Sequence, residues 1–393
     1  VYGFGAAITG STCYNLMQMS PADRKNFLIQ TFSETEGFGQ NFVRISIGCS
    51  DFSLSEYTLC DTKGIDNFAL TQEETKYVIP ILKEILAINP KVQIIGSPWT
   101  PPRWMKVNNL TDLQPHNQWT SGQLNPAHYQ DYALYFAKWL QAMKDNGLNV
   151  KAITIQNEPL NRGNSASMYM GWDEQLAFIK KALGKTLRDK GFAEVKIYLF
   201  DHNYNYDNMP SQQQYPLHIY KDTEASQYIT GAAYHNYGGN PDELNNIHNQ
   251  YPNKELIFTE SSIGTWNDGR NLERRLTEDM QELGIKTLNN HCKAVMVWNL
   301  MLDEHGAPNR EGGCKTCFGA VDIQTSDYKT MQRNSHYYVI SHLSAVIKQG
   351  ATRIGVEKTT DDNVQCTAFQ NPDGSLACVL LNKKKEATYL TLS

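Results

Sequence analysis

No stretch of this sequence stays apolar for long. The best run, Ala294 to Trp298, is far short of the ~20 apolar residues that a bilayer-crossing helix needs, so no membrane span is expected. Nor is there an excess of basic charge. Lysine and arginine number 36 against 41 aspartates and glutamates, for a net charge of -5, and they are scattered rather than striped. That leaves no footprint for a polyanion and argues against a nucleic-acid partner. Cysteine is sparse too, with 8 in 393 residues, which excludes a small scaffold stapled by disulfides. The close pair Cys314 and Cys317 has the spacing of half a zinc ribbon, but Cys366 and Cys378 are too far apart to complete one. A loop disulfide or two free thiols is the simpler expectation. Internal repeats, low-complexity tracts and long flexible linkers are also missing. Val1 opens with neither a charged start nor an apolar signal segment, so any export signal is expected to have been removed beforehand.

What is present suits a large folded core: 40% of residues are hydrophobic and 11% aromatic. Strand-like runs recur at Tyr2 to Thr9, Phe42 to Asp51, Val92 to Thr100, Val150 to Glu158, Val195 to Asp201, Ile229 to Tyr237, Glu255 to Glu260 and Lys293 to Asn299. Helical patterns lie between them, at Pro21 to Phe32 after Ser20, Glu73 to Ile88 after Thr71, Pro126 to Asn146 after Asn125, Asp173 to Lys190, Pro241 to Gln250 and Leu272 to Leu283. Small polar residues supply the starts, and Gly147 and Gly191 the stops. Repeated strand-then-helix units predict an α/β fold, a (β/α)8 TIM barrel over residues 1–337. After Tyr337 the period changes. Short runs at Thr352 to Lys358, Val364 to Gln370, Leu376 to Asn382 and Thr388 to Ser393, with a turn at Asn371-Pro372-Asp373-Gly374, predict a small C-terminal antiparallel β-sheet over residues 338–393. So few strands cannot bury both faces alone, and the sheet must lie on the barrel or be completed by other strands.

In such a barrel the carboxyl ends of the strands surround the active mouth. The fourth run ends Ile155-Gln156-Asn157-Glu158-Pro159, with Ala152, Thr154 and Gln156 on the face of Glu158, and Pro159 biases Glu158 toward an extended backbone. The seventh run ends Phe258-Thr259-Glu260-Ser261. Strands four and seven are expected to face each other across the lumen. Two rim carboxylates about 5–5.5 Å apart would be the pair of a retaining glycosidase, one a nucleophile and the other an acid and then a base.

These residues resemble glycoside hydrolase family 30, which includes lysosomal-type glucosylceramidases and microbial β-1,6-glucanases. The likeness spans nearly the whole chain. It rests on Gly3-Phe4-Gly5-Ala6-Ala7-Ile8-Thr9, Cys49-Ser50-Asp51-Phe52-Ser53, Ser97-Pro98-Trp99-Thr100-Pro101-Pro102-Arg103-Trp104, Asn157-Glu158-Pro159, His235-Asn236-Tyr237, Phe258-Thr259-Glu260-Ser261 and Trp298-Asn299-Leu300. The resemblance implies Glu158 as acid/base and Glu260 as nucleophile. Asn157 would bond the sugar 2-hydroxyl, and Asp51, Trp99 and Trp298 would hold the innermost sugar. His235 and Tyr237 would stand beside the nucleophile, with Asn299 also at the substrate. On this scheme Glu260 starts ionised and Glu158 protonated.

No metal and no organic cofactor is expected: the first strand reads Gly3-Phe4-Gly5-Ala6-Ala7, without the His-x-His of metal-dependent barrel hydrolases. The expected partner is an oligo- or polysaccharide, the protein acting as a monomer that is secreted, periplasmic or at the cell surface. A β-1,6-linked glucan is the first choice of substrate, and glucosylceramide or another terminal β-glucoside the second. A sugar-binding protein on an inactive barrel would be expected to have lost one carboxylate, and both are here. Family members build their β-sandwich partly from a segment ahead of the barrel, whereas this sequence opens on the first barrel strand.

Overall fold

The computed structural model describes residues 1–356 and 362–389. Its barrel strands are β1 (Gly3–Ala7), β2 (Phe42–Ser46), β3 (Gln93–Ser97), β4 (Val150–Thr154), β5 (Lys196–Asn203), β6 (Gly231–His235), β7 (Glu255–Glu260) and β8 (Cys292–Asn299). They are parallel and close into a ring in the order β1-β8-β7-β6-β5-β4-β3-β2. Several are shorter than their apolar runs, because the chain leaves the sheet to build the loops at the mouth. Pro21–Phe32 is the helix expected, with the Ser20 side chain accepting from the Asp23 amide. The helical runs that begin near Glu73, Asp173 and Leu272 each contain a wider, π-helical stretch, at Glu74–Val78, Ile179–Leu183 and Met280–Lys286. A one-residue widening leaves the apolar pattern nearly unchanged, so periodicity does not reveal it.

The barrel interior is layered by the two-residue repeat of a strand. Phe42, Ile95, Ala152, Tyr198, Ala233, Ile257, Ala294 and Met296 form an apolar plug in the lumen. Two positions further on lie Arg44, Ser97, Thr154, His235, Thr259 and Trp298, all buried. On β5 a bulge intervenes: the register with β6 shifts between Phe200 and His202, and both Phe200 (φ +69°) and Asp201 (φ +65°) are left-handed. The extra residue turns Asp201 into the same upper layer. An apolar floor thus lies under a largely polar layer at the mouth.

The helix Ser335–Val346 runs unbroken through residue 337, so we set the junction with the C-terminal sheet after this helix rather than at 337. Beyond it, β9 (Thr352–Ile354), β10 (Val364–Gln370) and β11 (Leu376–Asn382) form an antiparallel sheet. The expected turn joins β10 to β11, with Gly374 left-handed and its amide bonded to the Asn371 carbonyl at 2.9 Å. Phe369, Ala377 and Val379 face inward and join the main core, whereas Leu376 and Leu380 point out. The run Thr388 to Ser393 forms no strand up to residue 389, and its remainder lies outside the described residues, as does the end of the run starting at Thr352.

Outside the barrel the helix Tyr129–Asp145 lays Trp139 on Gly96 of β3, where a Cβ would come within 2.2 Å of the indole. Gly96→Ala should cost about 1–3 kcal/mol of unfolding free energy by overpacking. Denaturant titration checks this, and an unchanged midpoint would show that Trp139 moves aside freely.

Candidate active site

β4 ends at Thr154, and the next residues rise out of the sheet. Glu158 takes a left-handed φ of +44°, so the extended backbone expected ahead of Pro159 is not found. Such a conformation costs a non-glycine residue on the order of 1–3 kcal/mol and persists only where other contacts hold it. Here Asn157 N donates to Pro98 O at 2.8 Å and Glu158 N to Asp201 O at 3.0 Å. Glu158 Oε2 accepts from the side-chain amides of Asn161 and Asn164, each at 2.8 Å, and Oε1 lies 3.4 Å from His235 Nδ1. Glu260 closes β7, its Oε2 accepting from Arg44 Nη1 at 2.5 Å and its Oε1 from the Tyr237 hydroxyl at 3.0 Å. One oxygen of each glutamate and one ring nitrogen of His235 lie within 4.8 Å of one another.

β4 and β7 stand three places apart in the ring of eight, one short of diametrically opposite. β5 and β6 come between and contribute Asp201 and His235. Asp201 is completely buried. Its Oδ2 accepts from Arg44 Nη2 at 2.8 Å and Thr154 Oγ1 at 2.6 Å, and its Oδ1 accepts from Thr259 Oγ1 at 2.6 Å and faces His235 Nε2 at 3.0 Å. His235 therefore bridges Asp201 and Glu158 while standing beside Glu260, with one ring nitrogen within 4.8 Å of a Glu260 oxygen. Tyr237 does meet Glu260.

The charges follow from these contacts. Burial would drive the His235 imidazolium pKa down, but the negative charge of Glu260 and the bonds to Asp201 and Glu158 raise it to about 9. Burial pushes Glu158 up, but the His235 bond and the positive charges of His202 and His235 outweigh it and hold this carboxyl at about 2. Glu260 is raised by burial, which His235 and Arg44 only partly oppose. Glu158 is thus lowered and Glu260 raised, the opposite order to the one expected, because the imidazole faces Glu158 at hydrogen-bond range. Asp51 is pushed up to about 7 by burial and the charge of Glu260, with Arg310 opposing.

Asp51, Glu158, Tyr237, Glu260 and Trp298 line one cavity of about 290 Å³, together with Asn161, Asn164, His202, Asn203, Asp207, Ser262, Trp266, Cys314 and Cys317. Trp99 does not line it. Its ring is 2% exposed and stacks on Trp298 with centroids 5.2 Å apart, over the Arg44 guanidinium. Asn157 Oδ1 accepts from Arg44 Nη2 at 2.6 Å, which leaves its amide NH₂ as the group able to donate to a sugar. Asn299 is set aside from the cavity, buried with its Oδ1 on Thr9 Oγ1 at 2.7 Å. Cys314 and Cys317 form a disulfide.

Glu158, His235 and Glu260 also offer three metal-ligand atoms. The carboxylates of Glu158 and Glu260 already accept from Asn161, Asn164, Arg44 and Tyr237, and the two ring nitrogens of His235 face Glu158 and Asp201.

Arg44, Asp201, Asn161 and Asn164 join the site without having been named as candidates from the sequence. A signal for the first was there: Phe42-Val43-Arg44-Ile45 sets one arginine in an otherwise apolar strand, and a buried guanidinium requires partners. Asp201 carried the same signal as the two glutamates, an acid at the carboxyl end of the fifth run, but its inward turn depends on the β5 bulge.

A family model described as the glycosyl hydrolase family 30 TIM-barrel domain matches residues 1–347, and the beta sandwich domain of the same family matches residues 350–393. The chain belongs to glycosyl hydrolase family 30. Among family 30 relatives, the endo-1,6-beta-D-glucanase BGN16.3 of Trichoderma harzianum is 32% identical, covering 100% of this chain and 79% of that one. The lysosomal acid glucosylceramidase of Mus musculus is 28% identical, over 100% and 77%. The solved structure of the endo-beta1,6-glucanase BT3312 is 64% identical, covers 97% of this chain and 84% of its own, and superposes with a TM-score of 0.96.

Arg44→Met leaves Asp201 and Glu260 buried without their cation. A loss of about 3–5 kcal/mol in unfolding free energy is expected at neutral pH, measured by denaturant titration. Adding Asp201→Asn should recover part of it. A single variant as stable as the parent would mean that water reaches these carboxylates.

Proposed function

We propose that this family 30 protein is an endo-acting β-1,6-glucanase that works with retention of anomeric configuration, with Glu260 as nucleophile and Glu158 as acid and then base. The observation that carries the mechanism is the pair of carboxylates on one sugar-sized cavity with oxygens within 4.8 Å, short of the ~6.5–9.5 Å that an inverting enzyme keeps open for its water. Linkage rests on likeness: 64% identity to an endo-β1,6-glucanase against 28% to a glucosylceramidase. The cavity wall supports a glycan as well, since Asp51, Asn161, Asn164, Asn203 and Asp207 are hydrogen-bonding groups suited to hydroxyls rather than acyl chains.

In the first step Glu260 attacks the anomeric carbon while Glu158 protonates the departing oxygen. Both oxygens of Glu260 accept hydrogen bonds, from Arg44 and Tyr237, and only the ionised form serves both donors fully. The proton that Glu158 needs rests on His235, 3.4 Å away. When a bound sugar displaces water from Glu158, its anionic form is penalised and the proton moves from Nδ1 to Oε1. Formation of the glycosyl ester removes the charge on Glu260, and the Glu158 carboxylate then takes a proton from the water that hydrolyses the ester. Water enters from the face that the leaving group vacated, so configuration is retained.

Incubation with pustulan, laminarin, cellulose fragments and glucosylceramide should give products from pustulan, and proton NMR of the first product should show the β anomer. Initial release of α would eliminate double displacement. Glu158→Ala should lose roughly 10²–10⁴-fold on glucan. With azide and an activated aryl glycoside it should form a β-glycosyl azide, and Glu260→Ala an α-glycosyl azide.

His235→Asn should move the basic limb of the kcat/KM profile to lower pH, since the proton shared by Glu158 and His235 is otherwise retained until about pH 9. The loss should shrink with leaving groups that need no protonation. A uniform loss at every pH would assign His235 to packing alone.

A further inference from the structure

We propose that Trp266 and the Cys314–Cys317 hairpin form an outer subsite that binds a further glucosyl unit of the chain and sets the preference for longer substrates. This rests on the glucanase reading. Trp266 lines the catalytic cavity yet keeps 52% of its surface exposed, unusual for a large aromatic ring in an otherwise well-packed barrel. One face of the indole is covered: it lies over Gly264, where a Cβ would come within 2.0 Å of Cζ3. The ring packs against the backbone at Gly264 and leaves the rest of its surface to solvent. A flat indole beside hydrogen-bonding groups suits the apolar C–H face of a pyranose, and nothing in the double displacement uses it.

The hairpin holds this platform in place. The short strand Ile263–Gly264, just past Glu260, pairs antiparallel with Cys317–Phe318, and Thr265 N donates to Thr316 O at 2.9 Å. The disulfide closes the loop that carries Thr316, and both half-cystines line the cavity. On its other side the loop sits on the segment after β2: a Cβ on Gly313 would come within 2.6 Å of the Asp51 carbonyl. Arg310, 8% exposed, ties the same loop to Ser50 O at 2.8 Å and to Glu56 Oε1 at 2.8 Å. One disulfide-closed loop therefore joins the Asp51 wall to the wall that follows the nucleophile, with the exposed indole at its edge.

The test is a series of β-1,6-linked gluco-oligosaccharides from gentiotriose to gentiohexaose, with kcat/KM measured at each length for the parent, Trp266→Ala and Trp266→Phe. Stacking of one sugar should give the parent a rise of roughly 3- to 10-fold between the short and long ends of the series. In Trp266→Ala that rise should collapse, and Trp266→Phe should restore part of it. Cys314→Ser with Cys317→Ser should flatten the series in the same way. A parent without the rise, or a Trp266→Ala protein that keeps it, overturns the subsite. A parent that cleaves no member of the series defeats the glucanase reading itself, a separate result.

Discussion

A guanidinium with no exposed surface sits at the centre of this barrel. Arg44 reaches Asp201, Glu260 and Asn157 at once, and its plane lies against Trp99 and Trp298. Burying such a cation is unfavourable by itself, and so is burying two carboxylates. Together, with Thr154, Thr259 and His235 on the remaining acceptor positions of Asp201, the charges compensate one another. Every other feature of the mouth refers to that arrangement. Glu260 is aimed by it, and Asn157 is oriented by it. His235 is anchored to Asp201 and so points its other nitrogen at Glu158.

The same anchoring explains where the protons are. An imidazole between two carboxylates gains a proton because both neighbours favour its charged form, even though burial opposes it. Glu158 then becomes the more acidic of the two glutamates, which an assignment of roles by family resemblance does not anticipate. His235 Nδ1, the nitrogen that faces this carboxylate, lies 3.4 Å from Glu158 Oε1.

The loops divide the labour differently from the strands. Strand positions two residues above the apolar plug build the rigid, charged layer, whereas the loops after β2, β4, β7 and β8 supply Asp51, Asn161, Asn164, Trp266 and the disulfide hairpin around the cavity. Strands thus fix the charged layer and loops line the cavity above it, the division of labour usual in such barrels.

Much of this could be read before any coordinates. The alternation of strand and helix patterns carries the barrel, because each period reports which face of an element is buried, and the ends of the fourth and seventh runs carry Glu158 and Glu260 as rim carboxylates. Residue type alone also marks Arg44 as out of place in an apolar strand. Three things needed the folded chain. The left-handed turn at Glu158 is held by Pro98 and Asp201, from other strands. The inward turn of Asp201 depends on a bulge set by pairing with β6. The partner of His235 is Glu158 only because β5 and β6 stand between β4 and β7 in the ring. A sequence states which groups are available and which side of an element they occupy. Which group neighbours which across the barrel, and hence where each proton rests, is decided by distances that exist only once the ring has closed, because electrostatic coupling depends on separation and burial rather than on order along the chain.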